Sequence, residues 1–184
     1  MKTKIMSTGN GAHYLKLLFA IFVALPVLGL YFIHNYTLFQ IRIHDTGEIV
    51  YQKILKIGEP FTLKYIHSVT EQPVYEVFFV KDSDTLAMKE MRYDSFGANL
   101  PVGPEKLEHE TTKFLVEDGY YKILYENRSF DKVPLRVGQV IADHTLIFKD
   151  GDRLRFLDVA EGGEFVEFYV KPVQEILDRK EDGG

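Results

Sequence analysis

The chain contains no cysteine, which excludes a disulfide framework, a thiolate metal site and a catalytic thiol, and leaves stability to the apolar core. Its first 34 residues hold no acidic side chain, and only Lys2, Lys4 and Lys16 among lysines and arginines. The rest carries 19 basic against 27 acidic groups, a net of −8. So acidic a domain lacks the basic footprint that nucleic acid or anionic lipid requires, and neither is expected as a partner. Internal repeats, low-complexity tracts, long linkers and long runs of like charge are also missing. What remains, 184 residues at 46% hydrophobic and 14% aromatic, is one domain's length with ample material for a core.

Uncharged residues run from Leu17 to Ile33, "LLFAIFVALPVLGLYFI", and as a helix they would extend roughly 26 Å, close to the hydrocarbon thickness of a bilayer. A transmembrane anchor is expected over residues 1–34, with Tyr14 and Lys16 at one interface and Tyr31 and Tyr36 at the other. A cleaved signal peptide is the alternative, but its apolar region is usually shorter and ends in a small-residue site, which Val27-Leu28-Gly29 matches only faintly. The three lysines precede the span, so the positive-inside rule leaves the N-terminus in the cytoplasm. Residues 35–184 are then extracytoplasmic, on a single-pass protein of the cytoplasmic (inner) membrane.

Beyond Asn35 the chain alternates short β-type segments with turn residues, the pattern of an all-β antiparallel sandwich or barrel-like domain. Ten strands are expected between Leu38 and Val170, including Phe61–Val69 and Val74–Val80. "DTGE", "KDSD", "EDGY" and "KDGD" place Asp, Gly or Ser where hairpins reverse. "PVGPEKLEHE", residues 101–110, reads as a loop or one helical turn, and "PVQEILDRK" from Pro172 as a short C-terminal helix opened by its proline.

Within the third and fourth strands, "YIHSVTEQPVYEVFF" sets His67, Ser68 and Glu76 among apolar residues, where ionisable groups are costly unless partnered. A four-residue reversal at "TEQP" would put His67 opposite Glu76, with Lys89 beyond it on the fifth strand. That row reads either as a polar centre that binds a ligand or moves a proton, or as a mutually satisfied core network. Ser68 points away from His67, so no serine–histidine nucleophile pair is expected, and the remaining histidines show no spacing for zinc. The second unusual stretch, "YDSFGANLP", is a corner: Gly97 allows backbone closed to other residues, Phe96 must pack, and Ser95 with the amides of Gly97 and Ala98 suits an anion. A tight corner with an aromatic plug is the equal alternative. Expected ligand-binding residues are thus His67, Ser68, Glu76, Ser95, Gly97 and Ala98, with no catalytic residue, metal or cofactor assigned.

Together, Phe61, Leu63, Tyr65, His67, Ser68, Val69, Pro73, Val74 and Glu76, followed by Ser95, Phe96, Gly97, Ala98, Leu100 and Pro101, resemble the signature of the bacterial family catalogued as domain of unknown function 1850. The sequence departs from that pattern at Thr70, where the family usually has glutamate, and at Asn99, often glycine. Members of the family are typically encoded beside TAXI-type TRAP transporters, which import small carboxylates with an extracytoplasmic solute receptor and an ion gradient. The resemblance implies an accessory role beside the transporter's membrane subunit or solute receptor, and no catalytic residue. A small-ligand or ion-binding module, or an interaction domain without a ligand, is the alternative.

Overall fold

Strand-forming apolar alternation interrupted by Asp-Gly pairs builds most of the chain, and the computed structural model describes residues 9–107, 110–139 and 141–175 of it. The chain divides into two compact units at Asn35/Tyr36.

The first unit holds α1, Gly9–Asn35. Its apolar side chains from Tyr14 to Phe32 are exposed, and His13–Asn35 is long and apolar enough to cross a membrane by length and composition. A signal sequence has the same properties. Pro26 sits inside the helix, and Asn35 Nδ2 donates to the Tyr31 carbonyl at 2.8 Å, satisfying one of the carbonyls left over at a helix end.

The second unit is all antiparallel β. Its strands are β1 Tyr36–Ile43, β2 Ile49–Lys56, β3 Pro60–Ile66, β4 Pro73–Val80, β5 Leu86–Tyr93, β6 Lys106–Leu107, β7 Glu110–Glu117, β8 Tyr120–Tyr125, β9 Ser129–Phe130, β10 Val133–Arg136, β11 Thr145–Phe148, β12 Arg153–Arg155 and β13 Phe165–Pro172. One sheet has the order β10-β13-β1-β2, and the other β12-β11-β3-β4-β5-β8-β7-β6, with β9 added beside β5. The expected sandwich is therefore present. Its two layers meet through aromatic rings: Phe39 of β1 lies 5.3 Å from Phe61 and 5.7 Å from Phe148, while Phe168 of β13 meets Phe78 edge-on at 5.6 Å. All five rings are essentially buried, and edge-to-face pairs of this kind add to the gain from burying their area.

The turn chemistry is as read from the Asp-Gly pairs. At "EDGY", Asp118 and Gly119 both take positive φ, 54° and 79°, the mirror-image two-residue turn that suits strand twist, and Glu117 pairs with Tyr120 across it. At "KDGD", Gly151 has φ 93° and Lys53 of the other sheet binds Asp150 at 2.7 Å and also Asp152. Burial opposes the Lys53 charge, but the hydrogen bonds it donates to these two carboxylates hold its ammonium well above the usual lysine range.

Several expectations are corrected. β3 ends at Ile66, because the β3–β4 connection is six residues long instead of four, and Glu76 pairs with Leu63. His67 thus lies beyond the end of the ladder, and it and Glu76 are far apart along the hairpin. Lys89 is the extra residue of a bulge, since Val77 pairs with Glu90 and Phe78 with Met88, and its exposed side chain does not join Glu76. The expected row His67–Glu76–Lys89 does not form. Within 101–110, β6 pairs with β7 where a loop or helical turn was expected. Pro172 closes β13 instead of opening a helix; most of the expected C-terminal helix lies outside the described residues.

Candidate functional site

Three connections leave the same end of the larger sheet: residues 67–72 after β3, residues 94–105 after β5, and residues 137–144 before β11. The first two meet at His67. Its amide donates to the Gln72 carbonyl and its carbonyl accepts from Glu71, closing the loop on itself, with Glu71 taking φ 57°. The imidazole, buried to 9% exposure, reaches across to the corner after β5. Nε2 lies 2.9 Å from the Ala98 carbonyl, while Nδ1 faces the amides of Val69 and Thr70, both at 3.3 Å. Two amide donors at Nδ1 and a carbonyl at Nε2 fit one tautomer, neutral with its proton on Nε2.

Gly97 is required here by space. A Cβ on it would sit 2.7 Å from His67 Cε1 and 2.9 Å from Nε2, so the ring lies directly against glycine backbone. The left-handed residue of the corner is Asn99, φ 65°, where an asparagine is among the few side chains tolerated. This corrects the reason expected for Gly97, which is space and not a left-handed backbone. Phe96 stacks on Tyr121 at 4.1 Å and near Phe114 at 6.4 Å, the aromatic plug of the corner. Tyr93 donates its hydroxyl to the Pro101 carbonyl and fixes the exit.

Of the six expected ligand-binding residues, His67, Gly97 and Ala98 are thus brought together. Ser68 is exposed on the loop, Ser95 is half-buried on the corner, and neither side chain makes a hydrogen bond to His67 among the described residues. Glu76 belongs to a different cluster. The Tyr65 hydroxyl donates to Glu76 Oε1 at 3.3 Å. Burial pushes the Glu76 carboxyl up, against the opposing pull of the Tyr65 hydrogen bond and the Arg128 charge; burial and the Glu76 charge push the Tyr65 phenol up as well.

Sequence reasoning missed the second histidine. His144, on the third loop, is 9% exposed, and its ring lies 5.3 Å from Tyr65 and 6.4 Å from Phe156. Its Nδ1 accepts from the Gly138 amide at 3.0 Å, and a Cβ on Gly138 would meet Ala142 Cβ at 2.3 Å and His144 Nδ1 at 3.1 Å. Burial lowers its pKa to about 4 despite the nearby Asp143. The available signal was "VGQVIADH", a glycine six residues before a histidine that precedes a strand. Two loops are therefore closed by the same device, an imidazole accepting backbone amides and pressed on a glycine. Among the described residues no group of three or more His, Asp or Glu is arranged to hold a metal ion.

Around this closed framework four large apolar side chains are exposed, interleaved with polar ones such as Ser68, Glu71, Asp94, Asn99 and Gln139. Val69 is 72% exposed, Val102 74%, Ile141 50% and Phe96 46%. Each lies on one of the three loops, beside a hydrogen-bonded anchor.

Residues 61–154 match a protein family described as Domain of unknown function (DUF1850), just over half of the chain. The chain belongs to the DUF1850 family. Searches of curated proteins and of solved structures gave no match. The DUF1850 segment runs from the second residue of β3 into β12 and contains both histidine–glycine closures and all three loops, while β1, β2 and β13 lie outside it. The family match therefore covers the end of the sandwich at which His67 and His144 sit.

Proposed function

We propose that this DUF1850 protein is a membrane-anchored, extracytoplasmic accessory protein of a TAXI-type TRAP solute transporter, and that its three-loop end docks on the transporter's membrane subunit or solute receptor. The observation that carries the reading is the set of exposed Val69, Phe96, Val102 and Ile141 on loops whose backbones are locked by His67 and His144. A preformed surface lowers the ordering cost of association, and large apolar groups held exposed on rigid loops, with polar groups around them, suit a protein interface. The transporter as partner rests on the resemblance to a family typically encoded beside TAXI-type TRAP transporters. The apolar helix α1 supports the anchor, and the lysines before it support the orientation.

Two measurements test this together. After mild detergent extraction, the full chain should co-purify with the transporter subunits, and its deletion should reduce solute uptake. Absence of both effects would refute the assignment.

A ligand site at the same corner, using His67, Ser68, Ser95, Gly97 and Ala98 without Glu76, is the second reading. The buried Thr70 hydroxyl without a hydrogen-bond partner favours it, since such groups are costly unless something completes them.

A further inference from the structure

Along β5 the neighbouring strand changes. Glu90 to Tyr93 pair with β8, whereas Leu86 and Ala87 pair with β9. Between them the chain leaves the ladder at Glu126–Arg128, and the Met88 amide donating to the Arg128 carbonyl, 2.8 Å, bridges the gap. The β4–β5 bulge falls at the same place and leaves Lys89 as its extra residue. A bulge re-aims a side chain and interrupts pairing, and here the two irregularities coincide. They open a cleft of about 450 Å³, within the range of small-molecule sites.

The cleft combines an apolar lining with positive charge. Phe79 and Tyr125 are among its lining residues, and Lys81, Lys89 and Arg128 bring three cations to it. Arg128 is held with its guanidinium 4.9 Å from the Tyr125 ring centre and 5.8 Å from that of Phe130, a stacking that fixes its plane. Lys81 Nζ donates to Ser129 Oγ at 3.0 Å, and Lys89 makes no ion pair among the described residues. The acidic side chain in the lining, Glu126, is engaged by Lys113 at 3.0 Å. A positive cleft thus stands in a part of the chain whose net charge is −8. Such a local reversal concentrates anions against the overall field.

We propose that this cleft binds a small organic anion, its acid group on Lys81, Lys89 and Arg128 and its apolar body against Phe79 and Tyr125. The site lies toward the β4–β5 hairpin, away from the three-loop end, and is independent of the docking reading.

Calorimetric titration of the full chain in detergent with benzoate, benzyl alcohol and inorganic phosphate tests it. Benzoate should bind saturably, and benzyl alcohol, which keeps the ring without the charge, should not. Lys89→Gln and Lys81→Gln should each weaken benzoate about tenfold, the loss expected for one charge-assisted hydrogen bond, while leaving the ligand-free melting temperature unchanged. Failure of benzoate to bind at millimolar concentration overturns the proposal. So does equal binding of benzyl alcohol, benzoate affinity unaltered in both lysine variants, or binding of inorganic phosphate alone.

Discussion

The imidazole of His67 and the backbone of Gly97 are in direct contact, so close that a methyl group on Gly97 would stand 2.7 Å from Cε1. Both ring nitrogens are bonded to main chain, one across the gap at Ala98 and one within its own loop. Histidine and glycine here form a single fastening between two loops far apart in sequence. Gly97→Ala should destabilise the domain by about 1–3 kcal/mol, the usual cost of an overpacked contact. In a His67→Ala background the same change should cost much less, because the clashing ring is gone. Denaturant unfolding of the four variants in a double-mutant cycle measures the coupling; additive effects would show that the contact is not energetically shared.

The burial of Glu76 makes stability fall as pH rises. Burial raises the carboxyl above 4.5 in the folded chain, so above that pH the unfolded chain gives up the proton first. This group's contribution is full below about 4.5 and is lost as pH climbs to the folded value. The Tyr65 hydrogen bond and the Arg128 charge limit the shift without reversing it. Glu76→Gln keeps the shape and removes the titration. Relative to the parent chain it should gain stability toward neutral pH, read as the difference in denaturation midpoint between pH 4.5 and 7.

Strand content, the sandwich and the Asp-Gly hairpins were legible because alternation and turn residues are local signals. The register of the β3–β4 hairpin was not. "TEQP" has the composition of a tight reversal, but the His67 side chain satisfies the amides of Val69 and Thr70 and stabilises a longer loop, a tertiary choice made in part by Ala98, 31 residues away. The bulge at Lys89 was equally invisible, because it depends on β5 meeting two successive partners, β8 and β9. The union of His67 with the glycine corner was nevertheless readable from the two family blocks.

His144 acts in the opposite sense to Glu76. Its pKa is about 4 in the folded chain against 6.5 for an exposed histidine. As pH falls below 6.5 the unfolded chain takes up the proton and the folded chain does not, so stability is intact above 6.5 and lost progressively down to about 4. The loss is at most about 3 kcal/mol for this shift, reduced by the ring's partial contact with solvent. His144→Gln should flatten this part of the stability–pH curve, whatever its effect at pH 7. An unchanged slope between pH 6.5 and 4 would assign the acid sensitivity to other groups.

The docking surface is separable from the fastening beneath it. Val69 and Val102 are about three-quarters exposed, so aspartate at either position adds charge to the surface without entering the core, and exposed substitutions of this kind usually change stability by less than about 0.5 kcal/mol. A charge placed in an apolar contact must be desolvated on association, which costs far more than it does on the free surface. Val69→Asp and Val102→Asp should therefore leave the melting temperature of the purified chain unchanged while sharply reducing the amount of transporter recovered with it. Lys113→Gln, on β7 and away from the loop tips, is the control and should retain recovery. If both aspartate variants recover transporter as well as the parent chain does, the three-loop end is not the docking face.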